Sequence, residues 1–296
     1  MAGAVLTREM SRKHLPILDT HQHLWDPAAV RPPWLPDTGP LAGRHTAPEY
    51  ARATAGLNIC ESIYMEIDAR VEDHDREADD VAQTIRSRTG VTRWAIIGGR
   101  PGSEGFARYI RRHAADRSVR GLRQVLHGAD TPRGFCLSPA FVSGVRLLGD
   151  LGLVFDVCLP GEYLDDAVAL GRACPATRLV IDHCGNPGVQ SRDLTAWKRR
   201  MDAIAALPNS YCKISGIVAS ARPGAWSSAD LAPIVRHCAE SFGRNRIMFG
   251  SDWPVCTLVA SPVEWVRALD EIVGDWPQVD QARLYRANGR TAYGIR

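Results

Sequence analysis

Two histidines one residue apart, His21 and His23, close the short run Ile17-Leu18-Asp19-Thr20. On a strand, successive side chains alternate faces, so the two imidazoles point the same way. Paired at a strand mouth, they can hold a divalent ion or steer a polarised substrate atom. A lone pair of this kind also describes two solvated loop histidines, so the chemistry depends on partners elsewhere in the chain. Residues of suitable type recur: Glu66, Arg100, Arg123, Asp156, Asp182-His183, Lys213 and Asp252.

The elements that must position them follow a repeating pattern. Short β-rich runs fall at Ile17 to His21, Ile59 to Ile67, Arg93 to Gly98, Val119 to Val125, Leu153 to Cys158, Arg178 to His183, Tyr211 to Ser215 and Arg246 to Phe249. Segments with helical periodicity lie between nearly all of them, some opened by capping signals such as Thr46-Ala47-Pro48-Glu49 and Ser261-Pro262-Val263-Glu264. Strand and helix in alternation predict a parallel sheet, and eight such units predict one closed (β/α)8 barrel over residues 1–296. An open doubly wound sheet would need a glycine-rich turn after its first strand, and Asp19 to Trp25 contains no glycine. Residues 1–14 read as a leader. Residues 24–45, rich in proline and carrying Trp25 and Trp34, read as an ordered lid loop, with Trp25 a candidate to stack on substrate.

Composition excludes several classes of function. Thirty-six basic side chains against thirty-three acidic ones leave a net charge of +3, with arginines interspersed among acids. That distribution does not indicate nucleic acid. No apolar run reaches the roughly 20 residues of a membrane span, and the N-terminus lacks a signal-peptide core, so a cytoplasmic protein is expected. Eight cysteines contain no CxxC pair and several lie in strand-like runs, which predicts reduced core thiols.

In a barrel the site lies at the C-terminal ends of the strands. The residues closing the strands are His21 and His23, Glu66, Arg123 and Gln124, Asp156, Asp182-His183, Lys213-Ile214-Ser215-Gly216 and Gly250-Ser251-Asp252-Trp253-Pro254. Such convergence exceeds what barrel stability requires. By strand alternation Asp182 is expected to face away from the lumen, in a structural role. Asp156 is read either as a partner of Lys213 or as a substrate contact. His14, His45, His74, His113, His127 and His237 are read as surface or capping groups.

The motifs Asp19-Thr20-His21-Gln22-His23-Leu24-Trp25, Ile181-Asp182-His183-Cys184-Gly185-Asn186-Pro187, Lys213-Ile214-Ser215-Gly216 and Phe249-Gly250-Ser251-Asp252-Trp253-Pro254 resemble those of the amidohydrolase superfamily. Within it they resemble the branch of sugar, pyrone-dicarboxylate and muconate-type lactonases. The resemblance implies a distorted barrel with His21, His23, His183 and Asp252 in its mouth. Arg123 and Asp156 stand where two-metal members carry a bridging lysine and a histidine, so it implies one divalent ion or none. The ligands would be His21, His23, His183 and Asp252, with Glu66 in addition, and three imidazoles with a carboxylate suit zinc.

Residue chemistry points the same way. An aspartate among imidazoles and cations can take a proton from water, which makes Asp252 the candidate base. His183 would orient water or carbonyl, and Arg123, with its planar fork, would polarise a carbonyl or bind a carboxylate. Arg100 and Lys213 are candidate substrate contacts. The expected activity is hydrolysis of a small lactone of sugar or muconolactone type. A nonoxidative, metal-dependent decarboxylase of the same superfamily and a catalytically silent binding protein are the alternatives.

Overall fold

The computed structural model describes residues 15–296, so the expected leader, residues 1–14, lies outside the described residues. Eight parallel strands run in chain order: β1 (Ile17–Gln22), β2 (Ile59–Met65), β3 (Thr92–Gly98), β4 (Val119–Val125), β5 (Val154–Cys158), β6 (Leu179–Ile181), β7 (Ser210–Ile214) and β8 (Ile247–Phe249). The ring closes through a parallel bridge of Gln22 with Trp253 and two main-chain bonds of 2.8 Å, Asp252 N–H to the His21 carbonyl and His23 N–H to the Trp253 carbonyl. The seam of the barrel therefore joins the two stretches that carry His21, His23 and Asp252. This is the (β/α)8 barrel the alternation predicts.

Helices cover the outside: α1 (Ala47–Ala53), α2 (His74–Ser87), α3 (Phe106–His113), α4 (Pro139–Asp150), α5 (Leu164–Ala173), α6 (Thr195–Ala205), α7 (Ser228–Phe242), α8 (Pro262–Ile272), α9 (Gln278–Ala282) and α10 (Asn288–Ala292). Their starts obey local chemistry. Ser261 and Glu264 form a reciprocal capping box before α8, and Thr46 with Glu49 does the same before α1. No described helix is long and apolar enough to cross a membrane.

Two cores result. Outward-facing strand residues such as Ile97, Leu122, Phe155, Ile181, Ile214 and Phe249 belong to one large cluster with the inner faces of the helices. Inward-facing Leu18, Ile63, Met65, Ile96, Val154, Val180 and Met248 form a second cluster, which Ala292, Tyr293 and Ile295 of the C-terminal segment join. The barrel is thus plugged by apolar layers below a polar mouth.

Residues 24–45 form an irregular loop whose ends are clasped by a bridge of Trp25 with His45. Trp25, Val30, Leu35 and Leu41 are buried in the large core, so the loop is packed along its length. His45 is not the surface group expected, because its ring stacks edge-on against Trp25 and Trp253.

Candidate metal and catalytic site

The first strand positions its histidines by breaking its own alternation. Leu18 faces the inner plug, so an unbroken strand would send Thr20 and Gln22 inward after it. The β1–β2 register slips between Asp19 and Gln22, and such a bulge re-aims the side chains beyond it. His21 and His23 consequently meet in the mouth with their Nε2 atoms 3.2 Å apart. The Asp19 carboxylate holds this bend against the loop after β8, accepting bonds from the N–H groups of Ser251 (2.8 Å) and His21 (3.1 Å) and from the Tyr50 hydroxyl (2.7 Å).

Asp252 reaches the pair from across the seam, its Oδ1 lying 3.6 Å from His21 Nε2 and 3.5 Å from His23 Nε2. The three atoms make a nearly equilateral triangle. Tetrahedral coordination at about 2.1 Å has ligand–ligand edges of roughly 3.4 Å, so the spacing of these three atoms would suit one divalent ion. The tautomer of His23 agrees: Nδ1 faces the carbonyl oxygens of Met65 (3.0 Å) and Glu66 (2.9 Å), so it carries the proton and Nε2 presents its lone pair. Burial, reinforced by the Lys213 ammonium, holds the His21 imidazole well below its ordinary pKa and therefore neutral.

Below the triangle lies a sealed ionic layer. Lys213 Nζ, with no solvent exposure, donates to Asp156 (2.5 Å) and lies 3.1 Å from Asp182 and 3.2 Å from His21 Nδ1. Tyr293, from the C-terminal plug, donates to the same Asp156 oxygen at 2.7 Å. Burial would raise the Asp182 carboxyl, but the Lys213 ammonium, helped by the hydrogen bond from the His21 imidazole, outweighs it and holds it well below the usual range. Asp156 goes the other way: burial, only partly offset by Lys213, pushes it up to about 6.

Asp182 corrects the expectation that it faces away from the lumen. It lies two residues after Val180, which is in the inner plug, so alternation sends Asp182 inward. His183 should then point out. It is returned to the mouth by a left-handed turn, φ 52°, at the start of a short 3₁₀ segment, and β6 ends at Ile181 rather than at His183 for the same reason. His183 Nδ1 is 3.0 Å from the Ser215 hydroxyl, and its ring centroid is 4.5 Å from that of His21.

Arg123 donates to Glu66 Oε1 (2.5 Å), to the Glu66 carbonyl (2.9 Å) and to Asp182 (3.4 Å), and its Nη1 also lies 3.4 Å from His21 Nε2. Glu66 spends its second oxygen on the Asp68 N–H at 2.7 Å, and it joins no ligand group with the histidines among the described residues. His183 likewise falls into a separate group, with His21 and Asp182, rather than with His23 and Asp252.

A cavity of about 380 Å³ opens above these groups, lined by His23, Trp34, Asp68, Arg123, His127, His183, Asn186 and Asp252 among others. Lys213 and Arg100 do not line it: the first is sealed beneath His21, and the second pairs with Asp68 at 3.6 Å. Trp25 is buried against Trp34 and His45 and lines a different cavity behind the loop, whereas Trp34 faces this one. His127, read from sequence as a surface group, is part of the wall. Nothing in its local sequence signals that, because it lies two residues past the end of β4 in an irregular loop. A larger cleft, about 620 Å³, lies beside α6 and α7 and contains none of these strand-end residues.

Comparison with known proteins agrees with the geometry. An amidohydrolase family model matches residues 18–295. An L-fucono-1,5-lactonase from Burkholderia multivorans is 29% identical over 292 residues, 94% of this chain and 93% of that protein. The crystal structure of an amidohydrolase with bound zinc from Burkholderia multivorans superposes with a TM-score of 0.81 at 26% identity, covering 95% of this chain and 99% of the other. A 5-carboxyvanillate decarboxylase from Sphingomonas paucimobilis shares the fold alone, with 16% identity and a TM-score of 0.66 over 95% of this chain and 100% of the other.

Proposed function

Because the chain belongs to the amidohydrolase family, we propose that it hydrolyses the ester bond of a small lactone, with Asp252 as general base. The observation that carries this reading is the triangle of His21, His23 and Asp252 opening into a cavity of small-molecule size. Similarity to the Burkholderia fuconolactonase and to the zinc-bound structure supports it. One divalent ion, zinc by ligand type, would be held by His21, His23 and Asp252, making water more acidic and the lactone carbonyl more electrophilic.

The protein's own groups do the rest. Asp252 takes a proton as water attacks the carbonyl carbon, and returns it to the ring oxygen as the C–O bond breaks. Arg123 has an N–H left after its bonds to Glu66 and Asp182, and His183, steadied by Ser215, is the second group available to orient the carbonyl.

The wall favours a neutral, polyhydroxylated lactone over a carboxylated one. Its guanidinium is already paired with Glu66 and Asp182. His127 is held below its ordinary pKa by burial and by Arg123, so it supplies no cation at neutral pH. Asp68 and Asp252 add acceptors suited to hydroxyls.

A pH-indicator screen tests the reading. Neutral aldonolactones are expected to release acid, carboxylated muconolactones to react poorly, and elemental analysis to find about one equivalent of divalent ion that a chelator removes together with activity. Release of carbon dioxide without acid, or turnover confined to carboxylated substrates, would overturn it.

Gly216 provides a check on His183. It has φ +68°, and a Cβ there would overlap the His183 ring at Nδ1. Gly216→Ala is expected to displace the imidazole and lower kcat by about tenfold or more while costing only about 1–2 kcal/mol of stability. Unchanged kcat in a folded Gly216→Ala protein would remove His183 from the mechanism.

A further inference from the structure

Away from the mouth, three thiols converge that the proposed chemistry does not use. Cys184 follows His183 in the turn after β6, Cys212 lies in β7 and Cys238 in α7, and their Sγ atoms all lie within 4.8 Å of one another. None of the three has any solvent exposure. Cys184 and Cys212 both point at the Lys213 carbonyl, at 3.5 and 3.7 Å, and the Trp197 indole N–H pins the Cys184 carbonyl at 2.9 Å. All eight cysteines of the chain are free thiols, but this is the one cysteine-only group of ligand geometry among the described residues.

Charge decides what such a cage can take. It lies in the apolar cluster that contains Trp197, Met201, Ile214, Val218, Leu231 and Val235, where an uncompensated charge costs several kcal/mol. Three thiolates around a divalent ion leave one net negative charge, and around a monovalent ion two. No histidine or carboxylate joins the group to complete a tetrahedral zinc set. A trivalent thiophilic centre leaves no charge.

We propose that Cys184, Cys212 and Cys238 form a binding site for a trivalent thiophilic metalloid, with arsenous acid as its probe. The reaction is a condensation: As(OH)₃ and three thiols give As(SR)₃ and three waters, with three As–O and three S–H bonds broken, three As–S and three O–H bonds formed, and no electron or net proton transferred. Entry requires the turn to open. Cys184 and His183 hold left-handed φ values of 54° and 52° there, a conformation costly for residues with a Cβ, so uptake is expected to be slow and to quicken in mild denaturant.

Native mass spectrometry of the full chain incubated with arsenite tests this without reference to activity. The expected species gains one arsenic and loses three hydrogens, whereas a two-thiol adduct would retain a hydroxyl. Cys238→Ser is expected to lose the three-hydrogen signature and to bind on the order of a hundredfold more weakly. Cys212→Val serves the same purpose if that variant does not fold. A wild-type chain that takes up no arsenic, or a Cys238→Ser chain with the wild-type mass shift and affinity, would overturn the proposal.

Discussion

Asp252→Asn is expected to lower kcat by about two to four orders of magnitude at saturating zinc while leaving the melting temperature nearly unchanged. On the proposed mechanism the substitution removes the proton acceptor while keeping the side chain's size and the local backbone. Asp252 has φ 57°, and asparagine is among the few residues that tolerate that left-handed conformation. The bonds that anchor the position are main-chain ones, Asp252 N–H to the His21 carbonyl at 2.8 Å and Cys256 N–H to the Asp252 carbonyl at 2.9 Å, and both survive. An amide is also a poorer ligand than a carboxylate, so metal content must be measured beside the rate. Near wild-type turnover in the metal-loaded variant would exclude Asp252 as the base. A collapse in thermal stability would show instead that its charge holds the seam together.

The parts of this architecture that were legible in the sequence are those carried by local pattern. Eight apolar runs with capped helices between them foretold the barrel, and the stretches around His21 and Asp252 proved to be neighbours because they form its closing seam. What pattern could not supply is phase. A bulge in β1 and a left-handed residue at His183 each shift the alternation by one, and neither leaves a signature in residue types. Asp182 was therefore assigned to the wrong face. Of the two loop tryptophans the sequence offers for stacking, packing alone decides that Trp34 faces the cavity and Trp25 does not, and it alone brings His127 to the wall and Tyr293 to Asp156. Lys213 illustrates a different limit: its place on a strand end and Asp156 as one of its two alternative readings were legible, and the structure selects that pair, but its zero exposure and its contacts with Asp182 and His21 emerge only from packing.

That depth makes Lys213→Met the variant with the largest expected effect on stability. Methionine fills a similar volume, so the loss is electrostatic: Asp156 and Asp182 would be left buried without their ammonium. Removing one partner of a buried ion pair costs about 3–5 kcal/mol, and that is the destabilisation expected in denaturant unfolding at pH 7. The pH dependence follows from the carboxylates. Lys213, with His21, depresses the Asp182 pKa, so Asp182 contributes stability above its ordinary value near 4, and that contribution fades as pH falls through the depressed one. Without Lys213 both folded-state carboxyls move upward, Asp156 from a value already pushed up to about 6, and each takes up a proton more readily in the folded than in the unfolded chain. The variant's deficit is therefore expected to shrink as pH falls from 7 towards 5, and adding Asp156→Asn should recover part of it at neutral pH. A variant as stable as the parent at pH 7, or one whose deficit is the same at both pH values, would mean that the ion layer under His21 contributes packing alone.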